Sequence, residues 1–279
     1  MSGSPDVYPY ADLELARRLE RTEGRANAAF VESHARLQPE SGAAWTEVAG
    51  AYAMFDGADS PLTQTFGVGL FAEAGDAEMA VIEAFFRERG AGVFHEVSPL
   101  AEPGLLPRLV ERGYRPVELS SVLYRPTAGE VRQDRPPAAG LVVRRAGPEE
   151  ADLWARVAAE GWGSESPELA GAVLEMGRVS ARSEGTVCFL AELEGRPVAT
   201  GALSLGEGVA LLAGASTVPA GRRRGAQGAL LGARLRYARE HGYGLAMMAA
   251  LPGSGSQRNA ERQGFRVAYT RTKWHLPPA

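Results

Sequence analysis

Three consecutive arginines, Arg222, Arg223 and Arg224, stand directly ahead of Gly225-Ala226-Gln227-Gly228 and an apolar-periodic run. Residues of these types at this spacing suit phosphate. The first amides of a helix have no partners inside it and carry partial positive charge, so an anion can rest there. Guanidinium groups add full charges and fork onto phosphate oxygens. Gly225, bare of a side chain, leaves the backbone open to close approach. The same residues can also be read as a solvated basic turn ahead of a capped helix, and the loop alone does not choose between the two.

The flanking elements set the loop in place. A strand, "GVALLAGASTVP", runs up to it, and Pro219 withholds the next ladder hydrogen bond. The helix after it carries Ala226, Leu230, Ala233 and Tyr237 on one face, with Arg234, Arg236 and Arg239 mostly off it. Gly242 ends this helix, and the fully apolar run Gly244–Leu251 follows as a strand buried on both faces. Upstream, "LVVRRA" opens the half as a strand. Two helices come next, the second over Pro167–Ser180, and then "TVCFLAELEGRPVATGALSL", whose central "EGRP" predicts a hairpin. A turn, a short helix to about Gln263 and the strand region "GFRVAYTRTKWHL" close the chain.

The stretch Pro126–Gly140 is rich in Pro, Gly and Ala and reads as a linker. Before it, helices are expected between Ala11 and Leu37, broken near Gly24. Strands follow at "AAWTEVAGAYAMF" and "LTQTFGVGLF", then the helix "DAEMAVIEAFFRERG", the strand "AGVFHEVS" and a further helix and strand. The halves end alike. Glu111–Arg115 ("ERGYR") mirrors Arg262–Arg266 ("RQGFR"), and the same interval separates Gly113 from Pro126 and Gly264 from Pro277. This predicts an internal duplication. Charge divides the halves: residues 1–139 hold 13 Arg against 21 Asp and Glu, and residues 140–279 hold 17 Arg and Lys against 13. The second half is the better host for a polyanion.

The order of elements in the second half, and Arg222-Arg223-Arg224-Gly225-Ala226-Gln227 after "TVPAG", resemble the GCN5-related N-acetyltransferase (GNAT) family and its [Q/R]-x-x-G-x-[G/A] loop. Gln227 departs from the pattern, with Gly228 directly behind it, so Gln227 is expected to turn outward or to bond a ligand oxygen. The resemblance implies an α+β fold of two tandem GNAT-type domains, each a mixed, mostly antiparallel sheet flanked by helices. Residues 1–126 would be a degenerate copy without a coenzyme cradle, 127–140 a linker, and 141–279 an acyltransferase domain binding acetyl-CoA. Carried over by position, Ala215, Ser216 and Thr217 would meet the pantetheine arm, and Arg222, Arg223, Arg224, Gly225, Ala226, Gln227 and Gly228 the pyrophosphate. Ser256 and Asn259 would face the coenzyme, with a surface or capping role for Asn259 left open. The chemistry implied is direct attack of an amine on the thioester.

The family's usual acid and base are missing: Ala260 stands at the tyrosine position, and no carboxylate lies between Gly208 and Pro219. Tyr269 is the stand-in for the acid, and Glu192 for the base, with a packed tyrosine, a hairpin surface charge and a water chain as the alternatives. In the first half Glu73, Asp76 and Glu78 crowd the equivalent helix start and would repel a pyrophosphate. His95 and Glu96 either reach a cleft or are ordinary strand residues. Trp154, Trp162 and Tyr237 read as core, as does the single cysteine, Cys188. Without a disulfide framework, secretion signal or long apolar run, a cytoplasmic protein is expected, away from membranes. The expected partner is a small-molecule or peptide amine, with neither metal nor nucleic acid, in a monomer or homodimer. A competing function is an acyl-CoA-binding sensor without turnover.

Overall fold

A computed structural model of the chain describes residues 8–129, 131, 136–164, 167 and 170–277. The first elements are α1 (Leu13–Leu37), β1 (Ala44–Val48), β2 (Ala51–Phe55), β3 (Gln64–Phe66), α2 (Asp76–Arg87), β4 (Val93–Val97), α3 (Leu105–Glu111) and β5 (Arg115–Pro126). The later ones are β6 (Leu141–Arg145), α4 (Ala151–Gly163), α5 (Ala170–Ser180), β7 (Thr186–Leu193), β8 (Arg196–Gly206), β9 (Val209–Thr217), α6 (Ala226–Glu240), β10 (Leu245–Ala250), α7 (Gly255–Arg262) and β11 (Arg266–Leu276). The fold is α+β and mostly antiparallel, as expected.

The chain forms two compact units that exchange segments. The amino unit takes Pro9–Tyr124, Ala249–Asn259 and the segment from Arg266 onward; the carboxy unit takes Arg125–Met248 and Ala260–Phe265. A linear split that keeps 141–279 together therefore misassigns β11. That strand pairs antiparallel with β4 along one edge and with β5 along the other, so its backbone hydrogen bonds are made in the amino unit.

The amino unit's strands run in the order β1-β2-β3-β4-β11-β5, with β3 and β4 its parallel pair. One sheet face buries Met79, Ile82 and Phe86 of α2 and Leu105 and Leu109 of α3 against Val93, Val97 and Trp274. α1 packs on β1, β2 and β3. The side chain of Asp12 caps it, accepting from the Leu15 amide at 2.9 Å. The break expected at Gly24 does not occur. A Cβ there would stand 2.7 Å from the Tyr52 ring, so the glycine serves close packing within one continuous helix.

In the carboxy unit the order is β6-β7-β8-β9-β10, antiparallel except for β9 beside β10. The predicted β7–β8 hairpin is present. Its turn residues Glu194 and Gly195 sit at φ 51° and 77°, the left-handed pair that matches strand twist. Trp154 of α4 fills the core with Cys188, Leu190 and Ala202. On α6 the buried row is Ala226, Leu230, Arg234 and Ala238, so Arg234 points inward rather than off the apolar face. Among the described residues, no helix is long and apolar enough to cross a membrane.

Candidate functional site

The parallel ladder between β9 and β10 is short. Val209, Ala210 and Leu211 pair with Leu245, Ala246 and Met247, and no further pair is formed among the described residues, although β9 continues to Thr217. Where the ladder stops, β9 bulges against β8. Ala202 opposes Ala213 and Thr200 opposes Ser216, so β9 carries one extra residue across that interval. Gly214 absorbs the bulge at φ 61°, a position where a Cβ would lie 2.8 Å from the Trp154 ring. Ala213, Gly214 and Ala215 are exposed, flanked by buried Leu212 and Ser216. A strand edge is thus left open to solvent in the middle of a sheet.

This edge leads to the start of α6. Gly225 is the N-cap at φ 78°, and the Ala229 amide makes the first helical bond, to the Gly225 carbonyl at 3.1 Å. The amides of Ala226, Gln227 and Gly228 therefore precede the ladder. Arg222, Arg223 and Arg224 are exposed around them. Arg222 donates to Ser164 Oγ at 2.6 Å, and Arg223 is held in the left-handed region at φ 59°.

Two sequence expectations for this loop are corrected. Gly225 does not keep its side open for a ligand. A Cβ there would meet the Pro136 carbonyl and Pro137 Cα at 2.9 Å, and Ala138 donates to the Arg224 carbonyl at 3.0 Å. The glycine admits the linker. Nor does Gln227 turn outward or toward a ligand. Its amide nitrogen donates to the Ser216 carbonyl at 2.7 Å and to Thr217 Oγ1 at 2.8 Å, fastening the first turn of α6 to the end of β9. Behind them, Ser216 Oγ donates to the Ala158 carbonyl, and α4 approaches so closely that a Cβ on Gly161 would stand 2.9 Å from the Thr217 nitrogen.

The remaining candidates are dispersed. Ser256 and Asn259 are exposed on α7. Tyr269 is buried in the amino unit and donates to Glu20 Oε1 at 2.9 Å; burial, with Glu20 next, raises its pKa well above the ordinary tyrosine value. A hydroxyl so placed is a structural donor. Glu192 is engaged by Arg144 at 2.6 Å in a bridge that also includes Glu150. Burial raises the Cys188 thiol to about 12, as fits a core cysteine. Trp154 is buried, whereas Trp162 is exposed and no part of the core. His95 and Glu96 are buried; desolvation lowers His95 to about 3, leaving it neutral beside the Tyr114 hydroxyl at 3.0 Å. At the start of α2, the acids Glu73 and Asp76 are met by Arg108 and Arg112.

Sequence reasoning missed Arg234. Its guanidinium is buried on the bulge, donating to the Ala202 carbonyl at 3.2 Å and the Ala213 carbonyl at 3.3 Å, and lies flat over Gly201. Desolvation lowers its pKa to about 10. The only available signal was glycine at position 201 opposite the bulge.

No family model matches the sequence, and no curated protein does. Solved structures do match. A GCN5-related N-acetyltransferase from Kribbella flavida is 23% identical, with a TM-score of 0.62 over 90% of this chain and 96% of that one. A tandem GNAT protein from the clavulanic acid biosynthesis pathway, 14% identical, aligns with a TM-score of 0.57 over 81% of this chain and 78% of that one. A GCN5-related N-acetyltransferase from Sphaerobacter thermophilus, 17% identical, gives 0.52 over 77% and 71%. The chain has the fold of the GCN5-related acetyltransferases.

Proposed function

We propose that the chain is an N-acyltransferase that draws an acetyl group from acetyl-CoA held in the carboxy unit and passes it to an amine. One observation carries the reading. The β9–β10 ladder ends at Leu211 and Met247, and the exposed, bulged edge beyond it runs to a helix start ringed by three arginines. On this reading Arg222–Arg224 and the leading amides of α6 hold a pyrophosphate. The open backbone groups of β9 take the amides of the pantetheine arm. The exposed bulge backbone at Ala213–Ala215 would supply an amide to polarise the acyl oxygen.

Acetyl-CoA, when bound, supplies an acyl carbon open to attack and a thiol leaving group. An ordinary thiol has a pKa of about 8.5, so solvent can return its proton near neutrality without a dedicated side-chain acid. With Tyr269 and Glu192 both occupied by other partners, water is the carrier the site supports for both proton steps. The chain's contribution is then alignment of amine and thioester, an effect large enough to sustain catalysis on its own.

The test uses Arg223→Glu/Arg224→Glu. Two charge-assisted hydrogen bonds are worth about 1.5–3 kcal/mol each, so calorimetry should show acetyl-CoA affinity falling at least about 100-fold. Unchanged affinity rejects the cradle. Thiol release over an amine panel then separates transferase from sensor, because binding without release for every amine rejects turnover alone.

A further inference from the structure

Two carbonyls of the β9 bulge are tied inward by side chains. Arg234 on α6 donates to the Ala213 carbonyl, and Thr200 on β8 donates through Oγ1 to the Gly214 carbonyl at 2.9 Å. Both side chains are buried, Thr200 completely. The peptides are trans, and a trans peptide sets its N–H opposite its C=O. The Gly214 and Ala215 amides are therefore turned away from β8, toward the side where the ladder to β10 has stopped. In a regular strand, successive amides alternate between the two edges. Here the bulge sets two in a row on the open one.

Arg234 brings a charge to this arrangement. Burial lowers its pKa only to about 10, so it stays cationic near neutrality, and among the described residues its bonds run to carbonyls and to no carboxylate. A buried cation without an anion is costly, and methionine would fill a similar volume without that cost. What the charge contributes is polarisation. Donation to a carbonyl draws electrons through the peptide and strengthens the N–H on its far side, by about 10–30% per bond. Gly201 leaves the room this needs, since a Cβ there would stand 2.9 Å from the guanidinium carbon.

We propose that Arg234 and Thr200 are positioning residues for the acyl group. They fix the bulge peptides so that the Gly214 and Ala215 amides form a two-donor seat for the thioester oxygen, with Arg234 strengthening the Gly214 donor. The assignment rests on the acyl-transfer reading and deepens it. Neither side chain touches substrate. The negative charge that builds on the oxygen as an amine attacks meets two donors already in place. The seat selects an acyl thioester over a coenzyme whose sulfur carries no carbonyl.

Calorimetry on the full-length chain tests this with acetyl-CoA and S-ethyl-CoA, a thioether of nearly the same size that lacks the oxygen. The parent should bind acetyl-CoA about tenfold more tightly. Arg234→Met and Thr200→Val should each reduce that preference to about threefold or less. Affinity for S-ethyl-CoA should stay within about twofold of the parent, because neither side chain contacts it. Arg234→Lys keeps the charge but not the fork, and should fall between the parent and the methionine variant. Damage to the fold would weaken both ligands alike, so the ratio reports positioning. In the parent, the Gly214 and Ala215 amide protons should move further downfield with acetyl-CoA than with S-ethyl-CoA in NMR spectra, a readout that stands even if a variant fails to fold. Equal binding of both ligands by the parent, a preference unchanged in both variants, equal loss of both ligands, or amide signals that do not distinguish them would each overturn the assignment. A parent that binds neither ligand rejects the acyl-transfer reading, and the assignment with it.

Discussion

Two helix starts in this chain occupy the same place in a strand–helix–strand arrangement and carry opposite charge. Ahead of α6, three arginines face solvent around the leading amides. At α2, Glu73 and Asp76 sit in the loop and the first turn, paired with Arg108 and Arg112. The space beside the two strands differs as well. Ala213–Ala215 are exposed along β9, whereas every residue from 63 to 70, spanning β3 and the chain after it, is buried. The amino unit closes its strand edge with side chains and spends its charges on one another; the carboxy unit leaves an edge open and displays its cations. A shared topology thus supplies the frame for a site, while filling and charge decide whether one is present.

Two of the buried arginines, Arg271 and Arg234, sharpen this contrast and give the largest expected effect. Arg271 is held by Glu20, Glu23 and Glu96, while the bonds of Arg234 run to backbone carbonyls. Arg271→Met strands buried carboxylates and should cost about 3–5 kcal/mol in denaturant unfolding. Arg234→Met leaves no opposite charge behind, only carbonyls short of a donor, and should cost less, about 1–3 kcal/mol. Equal costs for the two would show that the amino unit does not depend on internal charge pairing.

A smaller effect follows from Glu20. Desolvation, opposed by Arg271, raises its carboxyl to about 7. Between pH 4.5 and 7 the folded state holds a proton that the unfolded state has lost, so this group's contribution is present below pH 4.5 and disappears as pH rises through 7. His95, lowered to about 3, works the other way: its contribution is present above pH 6.5 and lost as pH falls. Glu20→Gln should therefore remove the decline toward pH 7 and leave a steeper loss of stability on the acid side. Melting curves at pH 5, 6, 7 and 8 should shift relative to the parent by several degrees across the series; parallel curves would place Glu20 outside the coupled cluster.

How much of this was legible in the sequence depends on the range of the interaction. The Glu194–Gly195 turn, the end of α6 at Gly242 and the buried β10 are set by residues close in sequence, and they stood where composition placed them. The strand before the arginines and the helix after them were legible for the same reason. The destination of β11 was not, because its partners β4 and β5 lie more than a hundred residues away and leave no trace in its own periodicity. Glu20 and Arg234 look like surface charges on helical wheels, yet each is buried by a partner that the local pattern does not contain. Gly225 is the instructive case. Its lack of a side chain was readable as room for a close approach, but the occupant of that space was the linker.

The smallest expected effect concerns Arg223, which separates backbone strain from displayed charge. Its φ of 59° is a left-handed setting that costs an L-residue about 1–2 kcal/mol. Arg223→Gly relieves that cost, offset in part by the greater freedom of glycine in the unfolded chain, about 0.4–1 kcal/mol. Stability should therefore be unchanged or rise by up to about 1 kcal/mol, while affinity for acetyl-CoA falls by about tenfold through loss of one guanidinium. Arg223→Lys keeps the strain and the charge but loses the fork, so it should hold stability level and lose less affinity than the glycine variant. The comparison of the two helix starts requires that this arginine be retained for what it offers outward. If the glycine variant unfolded more readily than the parent by over about 1 kcal/mol, the side chain would be supporting the loop itself, and the contrast between a displayed and an internally spent charge would fail at the residue where it is most exposed to test.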